Sequence, residues 1–218
     1  MLAAARKEPS AILLFAQSAA VLLYPFLEDS DVGRAVFSVL GIAILGLVLL
    51  AVRSTPALTG VAVVLGIPAT VLLLIQAATV SDDLQPYSAA LEAVLYFYAA
   101  GALIMYMLAD HEITRDELFA VGATFTLVAW AFAYSYLVVQ AIEPQSFTAA
   151  VDPTAERSWI EVLFLSFTTL TSTGLSDVIP VKPFARGLVM LEMLAGLGYV
   201  AMVVSRLVGL TVMHRAAE

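Results

Sequence analysis

Apolar residues run along this chain in long, nearly uninterrupted blocks. They show neither the period-two alternation of a half-buried strand nor the one-sided stripe of a helix on a soluble core. Six blocks stand out, at positions 10–27, 34–52, 56–80, 88–109, 118–142 and 183–212, each bounded by charges, Pro or turn-forming residues. A helix that crosses about 30 Å of hydrocarbon needs roughly 20 apolar residues, with a range near 17–25. The pattern therefore predicts six membrane-spanning helices. A further block, 159–171, is different: as a helix its thirteen residues reach only about 20 Å, so the segment is predicted to enter the bilayer and return on the same side.

Composition strengthens the membrane reading. The 218 residues are 61% hydrophobic and 13% charged, against roughly 45–50% and 25% in soluble domains. There is no cysteine, which removes disulfides, thiol nucleophiles and thiolate metal sites. A net charge of −8 with ten scattered Lys and Arg residues argues against a nucleic-acid partner. No soluble partner is readable, and no nucleophile elbow, nucleotide loop or His-Glu metal pair on a helix marks an enzyme.

The first block follows Arg6 and Lys7, which makes a secretory signal the alternative reading, but Pro25-Phe26-Leu27-Glu28 offers no small-residue cleavage site. It is read as a retained span. With the N-terminus inside, Arg6, Lys7, Arg53, Arg115, Arg206 and Arg215 fall near inner ends and Arg34, Arg157, Lys182 and Arg186 near outer ones. Acids such as Glu28, Asp29, Asp82, Asp83, Glu143 and Asp177 then face outward. The expectation is a multi-pass protein of the plasma (cytoplasmic) membrane with both termini cytoplasmic and no soluble sensor domain. The fourth block carries no Arg or Lys, so it cannot act as a voltage-sensing helix, which needs several charges at about 2.3 kcal/mol each per 100 mV.

The most informative stretch is 158–177. Ser158-x-x-Glu161 is a capping box that opens an apolar helix, and the helix runs into Thr168-Thr169-Leu170-Thr171-Ser172-Thr173-Gly174. A re-entrant helix aimed into the membrane places about half a negative charge at its C-terminal end, which favours cations. Irregular backbone at that depth persists only when buried in protein or lining water. A short helix followed by extended backbone with free carbonyls is a physical recipe for a cation site.

These residues resemble a known family. Thr168 through Asp177 is similar to the filter of tetrameric potassium channels, whose pattern is Thr-x-Gly-Tyr-Gly-Asp. The resemblance continues through Ile179-Pro180, Arg186, Leu191-Glu192, Gly196, Tyr199 and 205–210, covers about 118–210, and points to bacterial channels that carry a two-helix pore behind extra spans. It implies that Ser172, Thr173, Gly174, Leu175 and Ser176 line the ion path. Potassium-type cations would be held by the backbone carbonyls of Ser172, Thr173, Gly174 and Leu175, with four chains supplying each carbonyl ring. Asp177 would sit at the outer mouth, Thr168, Phe164, Leu165 and Glu192 would support the filter, and Gly196 would be the inner-helix hinge.

The sequence departs from that pattern. Ser176 replaces the second filter glycine, where a left-handed residue other than Gly costs about 1–2 kcal/mol, so the outer filter is either strained or its carbonyls turn differently. Leu175 replaces the usual Tyr, Ser172 and Thr173 replace Thr and Val, and Phe164 and Leu165 bring no hydrogen-bonding handle. Glu192 lies about two and a half turns into the last block, and a buried buttress behind the filter is preferred over direct ion contact. Glu92 is read as a snorkelling acid near the outer interface, and Glu161 by its capping role. Thr114-x-x-Glu117 is a second capping box, His111 and His214 are solvated loop residues, and Tyr96, Tyr98 and Tyr106 pack between helices.

The expected fold class is an all-α integral membrane protein: six transmembrane helices, with a re-entrant pore helix and an extended filter between the fifth and sixth. Residues 1–112 form a four-span region without voltage-sensor charges, and 113–218 a pore domain of outer helix, pore helix, filter and inner helix. The expected function is a homotetrameric channel for monovalent cations, with potassium foremost and no other cofactor, held in membrane lipid. The alternatives are a weakly selective cation channel or a non-conducting, channel-derived membrane scaffold or regulator. A secondary transporter ranks behind these, because one broken element is present where paired ones are the rule.

Overall fold

The computed structural model describes residues 8–27, 31–53, 55, 57, 59–79, 84–109 and 114–216. Among them lie seven helices: α1 (Pro9–Leu27), α2 (Asp31–Arg53), α3 (Thr59–Thr79), α4 (Gln85–Leu108), α5 (Arg115–Ile142), the short α6 (Trp159–Leu170) and α7 (Pro183–Ala216). Each coincides with one of the apolar blocks to within a few residues at either end. By length and composition, five can cross a membrane (α1, α3, α4, α5 and α7), while α2 adds a shorter apolar stretch, Val39–Arg53. Arg6, Lys7, Glu28, Asp29, Asp82, Asp83 and His111 lie outside the described residues, as does the side chain of His214.

Helix α5 is the axis of the packing. It contacts α1, α4, α6 and α7, and its pairing with α4 is the most extensive in the molecule. Small residues explain the close approach: Ala89, Ala93, Ala99, Ala100 and Ala102 of α4 are buried, as are Ala120, Ala123, Ala129, Ala131 and Ala133 of α5. In hydrocarbon, where burial of apolar surface drives nothing, such residues let backbones come near enough for dispersion to hold helices together. Larger rings fill the remaining space, with Trp130 edge-on to Tyr96 and to Trp159 at centroid distances of 5.8 and 5.2 Å.

One expectation fails in this region. Glu92 is not a snorkelling surface acid: it is only 2% exposed. Its position on α4 turns it toward α5, where the Tyr134 hydroxyl meets its carboxyl, and Tyr96 lies one turn along the same helix. Hydropathy located the helix correctly, but it could not tell which face of α4 would carry α5.

The segments flanking α6 are tied together. Strand β1 (Phe147–Thr148) pairs antiparallel with β2 (Ile179–Pro180), Phe147 opposite Pro180 and Thr148 opposite Ile179. Val181 N–H donates to the Ser146 carbonyl at 2.9 Å, and Lys182 Nζ to the Pro144 carbonyl at 2.7 Å. The chain on either side of α6 is thus cross-tied before α7 begins.

Candidate functional site

Helix α6 starts as its sequence predicts. Glu161 closes the capping box by accepting from Ser158 N–H at 2.6 Å, and its other oxygen pairs with Arg157 at 3.1 Å. Arg157 does more than the place expected for it at an outer end would require. Its side chain is buried; its guanidinium donates to the carbonyls of Asp152 and Ala155 at 2.6 Å, and its backbone N–H to Gln140 at 2.8 Å. The loop before α6 is thus wrapped around one planar, five-donor cation. Sequence reasoning missed this, because nothing in the spacing of Arg157 says that the loop carbonyls converge on it.

The other end of α6 finishes in a Schellman motif. Thr173 N–H reaches the Thr168 carbonyl at 3.0 Å and Ser172 N–H the Thr169 carbonyl at 3.0 Å, around a left-handed Ser172 with φ +58°. Gly174, at φ +65°, donates to the same Thr168 carbonyl at 3.2 Å. Left-handed conformations therefore fall at 172 and 174 and not at Ser176, whose hydroxyl instead accepts from Val178 N–H at 3.1 Å. The left-handed strain expected at Ser176 is therefore absent from that residue. The strained residue is Ser172, because it must also end the helix.

The amides of 172–174 are consumed by the last turn of α6, but the carbonyls are not. Among the described residues no hydrogen bond is accepted by the carbonyls of 171–176. Residues 171–175 and Asp177 are exposed in the single chain, with Leu175 75% exposed. A run of free acceptors lies along one exposed strand. The side chains of Thr171 and Thr173 are 3.0 Å apart and bond inward to the carbonyls of Phe167 and Thr168, leaving the outer side of the strand to the backbone.

Behind α6 stands Glu192. It is fully buried on α7, and its two oxygens accept from the hydroxyls of Ser166 on α6 and Tyr136 on α5. Ser166 also reaches the Ala129 carbonyl of α5 at 2.8 Å. A buried carboxyl is costly unless its oxygens are paired, and here each has a hydroxyl partner. Ser166 and Tyr136 carry no sequence signal of their own. They were invisible because their partner lies 26 and 56 residues away.

One turn below Glu192, Gly196 is buried against the end of α6. Glu192 and Gly196 meet Ser166 and Leu170, so the two helices touch in register at points four residues apart on each. Thr168, which anchors the strand, sits between them. Of the two residues expected as aromatic or apolar supports, Leu165 is buried in the core, whereas Phe164 is 47% exposed.

A family model described as "Ion channel" matches residues 93–212, more than half of the chain. The chain belongs to the ion channel family. The match opens inside α4 and spans α5, α6, the strand after it and most of α7, so the arrangement just described is that of an ion channel and not of an enzyme. A search of the curated proteins found no match, and a search of the solved structures found none.

Proposed function

We propose that the chain is one subunit of a tetrameric channel that passes monovalent cations, potassium foremost, through rings of backbone carbonyls from Ser172, Thr173, Gly174 and Leu175. The observation that carries this reading is the free-carbonyl strand. A buried or membrane-depth carbonyl costs free energy unless paired, and here an exposed run has the amides of 172–174 tied off and its acceptors free. Left-handed residues at 172 and 174 also depart from a pleated strand, in which successive carbonyls point to opposite sides. One chain supplies one strand, so an ion cage requires further copies.

The exposed side of α7 supports that. Met190, Leu191, Met193, Leu194, Leu197 and Val200 are all about half exposed or more, whereas Ala185, Val189, Glu192 and Gly196 form the narrow stripe that meets the rest of the chain. In this reading six spans surround each re-entrant α6, both termini are cytoplasmic, Asp177 stands at the outer mouth, and Glu192 holds the pore helix without touching the ion. A weakly selective pore is the second reading, favoured by Ser176, whose backbone lacks the left-handed turn found at 172 and 174.

Purified protein in liposomes tests the function. Potassium influx from a verified oligomer is the expected result, and oligomers that pass no monovalent cation would overturn it.

A further inference from the structure

At the end of the molecule opposite the capping box of α6, two adjacent carboxylates on the first turn of α5 go separate ways. Asp116 accepts from the backbone N–H and the hydroxyl of Ser10, both at 3.0 Å, and Ser10 is the second residue of α1. Glu117 pairs with Arg206 near the far end of α7 at 3.1 Å. Both acids are buried, 7% and 4% exposed.

Acidic residues in a helix's first turn are ordinarily explained by the macrodipole of that helix. That account leaves them in solvent, and it does not give each a partner on a different helix. Helix α1 has no acid in its own first turn. Its leading amides are among the donors that no helix satisfies internally, and Asp116 caps one of them, that of Ser10, in trans. Consecutive residues on a helix diverge by about 100°, so α5 can hold α1 on one side and α7 on the other only while its first turn keeps one orientation.

The inner half of α7 depends on such ties. A small cavity, lined by Leu118, Val121, Met202 and Val203, lies between it and α5 beside the Glu117–Arg206 pair. Above it, Tyr199 donates to the Val121 carbonyl at 2.6 Å. The outward face remains open, with Val204 and Val208 52% and 57% exposed.

We propose that the first turn of α5 is a mechanical junction in which α1, through Asp116, sets whether Glu117 can hold Arg206, and so biases the position of the inner end of α7. The inference rests on the channel reading, in which that end of α7 borders the pore, and it gives the N-terminal helix a regulatory role. Motion of α1 drags Asp116, rotates the turn, and loosens the pair that holds α7 against α5.

The absence of cysteine allows site-specific labelling of the full chain. Spin labels at Phe119→Cys on α5 and Val208→Cys on α7, both exposed positions, would report the distance between these helices in doubly labelled chains diluted with unlabelled ones. Asp116→Asn, which does not touch Arg206, is expected to shift the mean distance in the same direction as Glu117→Gln, by about 2 Å, the upper scale of helix shifts at interfaces. Ser10→Ala removes one of the two bonds, and a smaller shift of the same sign is expected; it also serves if Asp116→Asn does not fold.

A distance that moves with Glu117→Gln but not with Asp116→Asn or Ser10→Ala overturns the junction. In parallel liposome assays, Asp116→Asn and Arg206→Gln are expected to change flux non-multiplicatively, by at least about fivefold. Multiplicative effects in a conducting protein also overturn the proposal. A wild type that conducts nothing, with the label shifts intact, sinks the channel reading and leaves the junction standing.

Discussion

Gly196 lies so close to Leu170 that a Cβ at position 196 would stand 2.4 Å from the Leu170 carbonyl oxygen and 2.8 Å from its Cα. Such contacts are with backbone, which cannot swing aside. The glycine therefore has a packing reason that holds whether or not α7 also bends there; in this structure α7 continues through it.

Gly196→Ala is expected to push α7 off the end of α6, costing about 1–3 kcal/mol as overpacking and more if the strand anchored on Thr168 moves with it. Gly198→Ala is the control, because nothing lies within 4 Å of a Cβ there. Thermal unfolding and ion flux measured on both variants separate packing from bending. A pure hinge role for Gly196 predicts a flux defect in Gly196→Ala with little loss of stability, and none in Gly198→Ala.

Glu192 and Ser166 should behave as one unit. Ser166→Ala leaves one Glu192 oxygen without its bond, and Glu192→Ala leaves the Tyr136 hydroxyl without its partner, at about 1–3 kcal/mol each. The double variant is expected to cost less than the sum, by about 0.5–3 kcal/mol. Additive losses in a thermal or denaturant series would show that the contact carries no coupling.

Ser172 is left-handed because it ends α6, and in the proposed reading it also lines the ion path. Ser172→Gly should raise stability by about 1 kcal/mol by removing the penalty of a left-handed side-chain-bearing residue. Gly174→Ala, at φ +65° with open space around its Cβ, should lose about 1–2 kcal/mol for purely conformational reasons. A melting series in one detergent decides both signs.

Arg157→Ala should unravel the loop ahead of α6 and lower stability by about 2–4 kcal/mol, since several carbonyls and Glu161 lose their shared donor. Arg157→Lys should recover little, because an ammonium cannot reproduce the planar fork. Full recovery by Lys would mean that charge alone, not geometry, holds the loop.

How much of this was legible in the sequence follows from which interactions are local. The helices were legible, because length and hydropathy are properties of contiguous residues. So were the capping box at Ser158 and Glu161 and the arrest of α6 at its Thr-rich end. Glu192 was recognisable as an anomaly in an apolar block, but Ser166 and Tyr136 were not, since a hydroxyl on a helix looks ordinary until a distant carboxyl arrives. Glu92 was misplaced for the mirror-image reason: its burial depends on which face α5 covers. In the segment after α6, the sequence drew attention to Ser176, whereas the left-handed strain sits at Ser172. The glycine pattern marks where positive φ is usual but not where a helix C-terminus will demand it.

The central claim is that the free carbonyls of 172–175 carry monovalent cations. Its most direct test is the ratio of potassium to sodium influx into liposomes containing the intact oligomer, measured for the wild type and for Ser176→Gly. The account predicts influx that favours potassium in the wild type and favours it more strongly in Ser176→Gly. Intact oligomers that take up neither ion would contradict it.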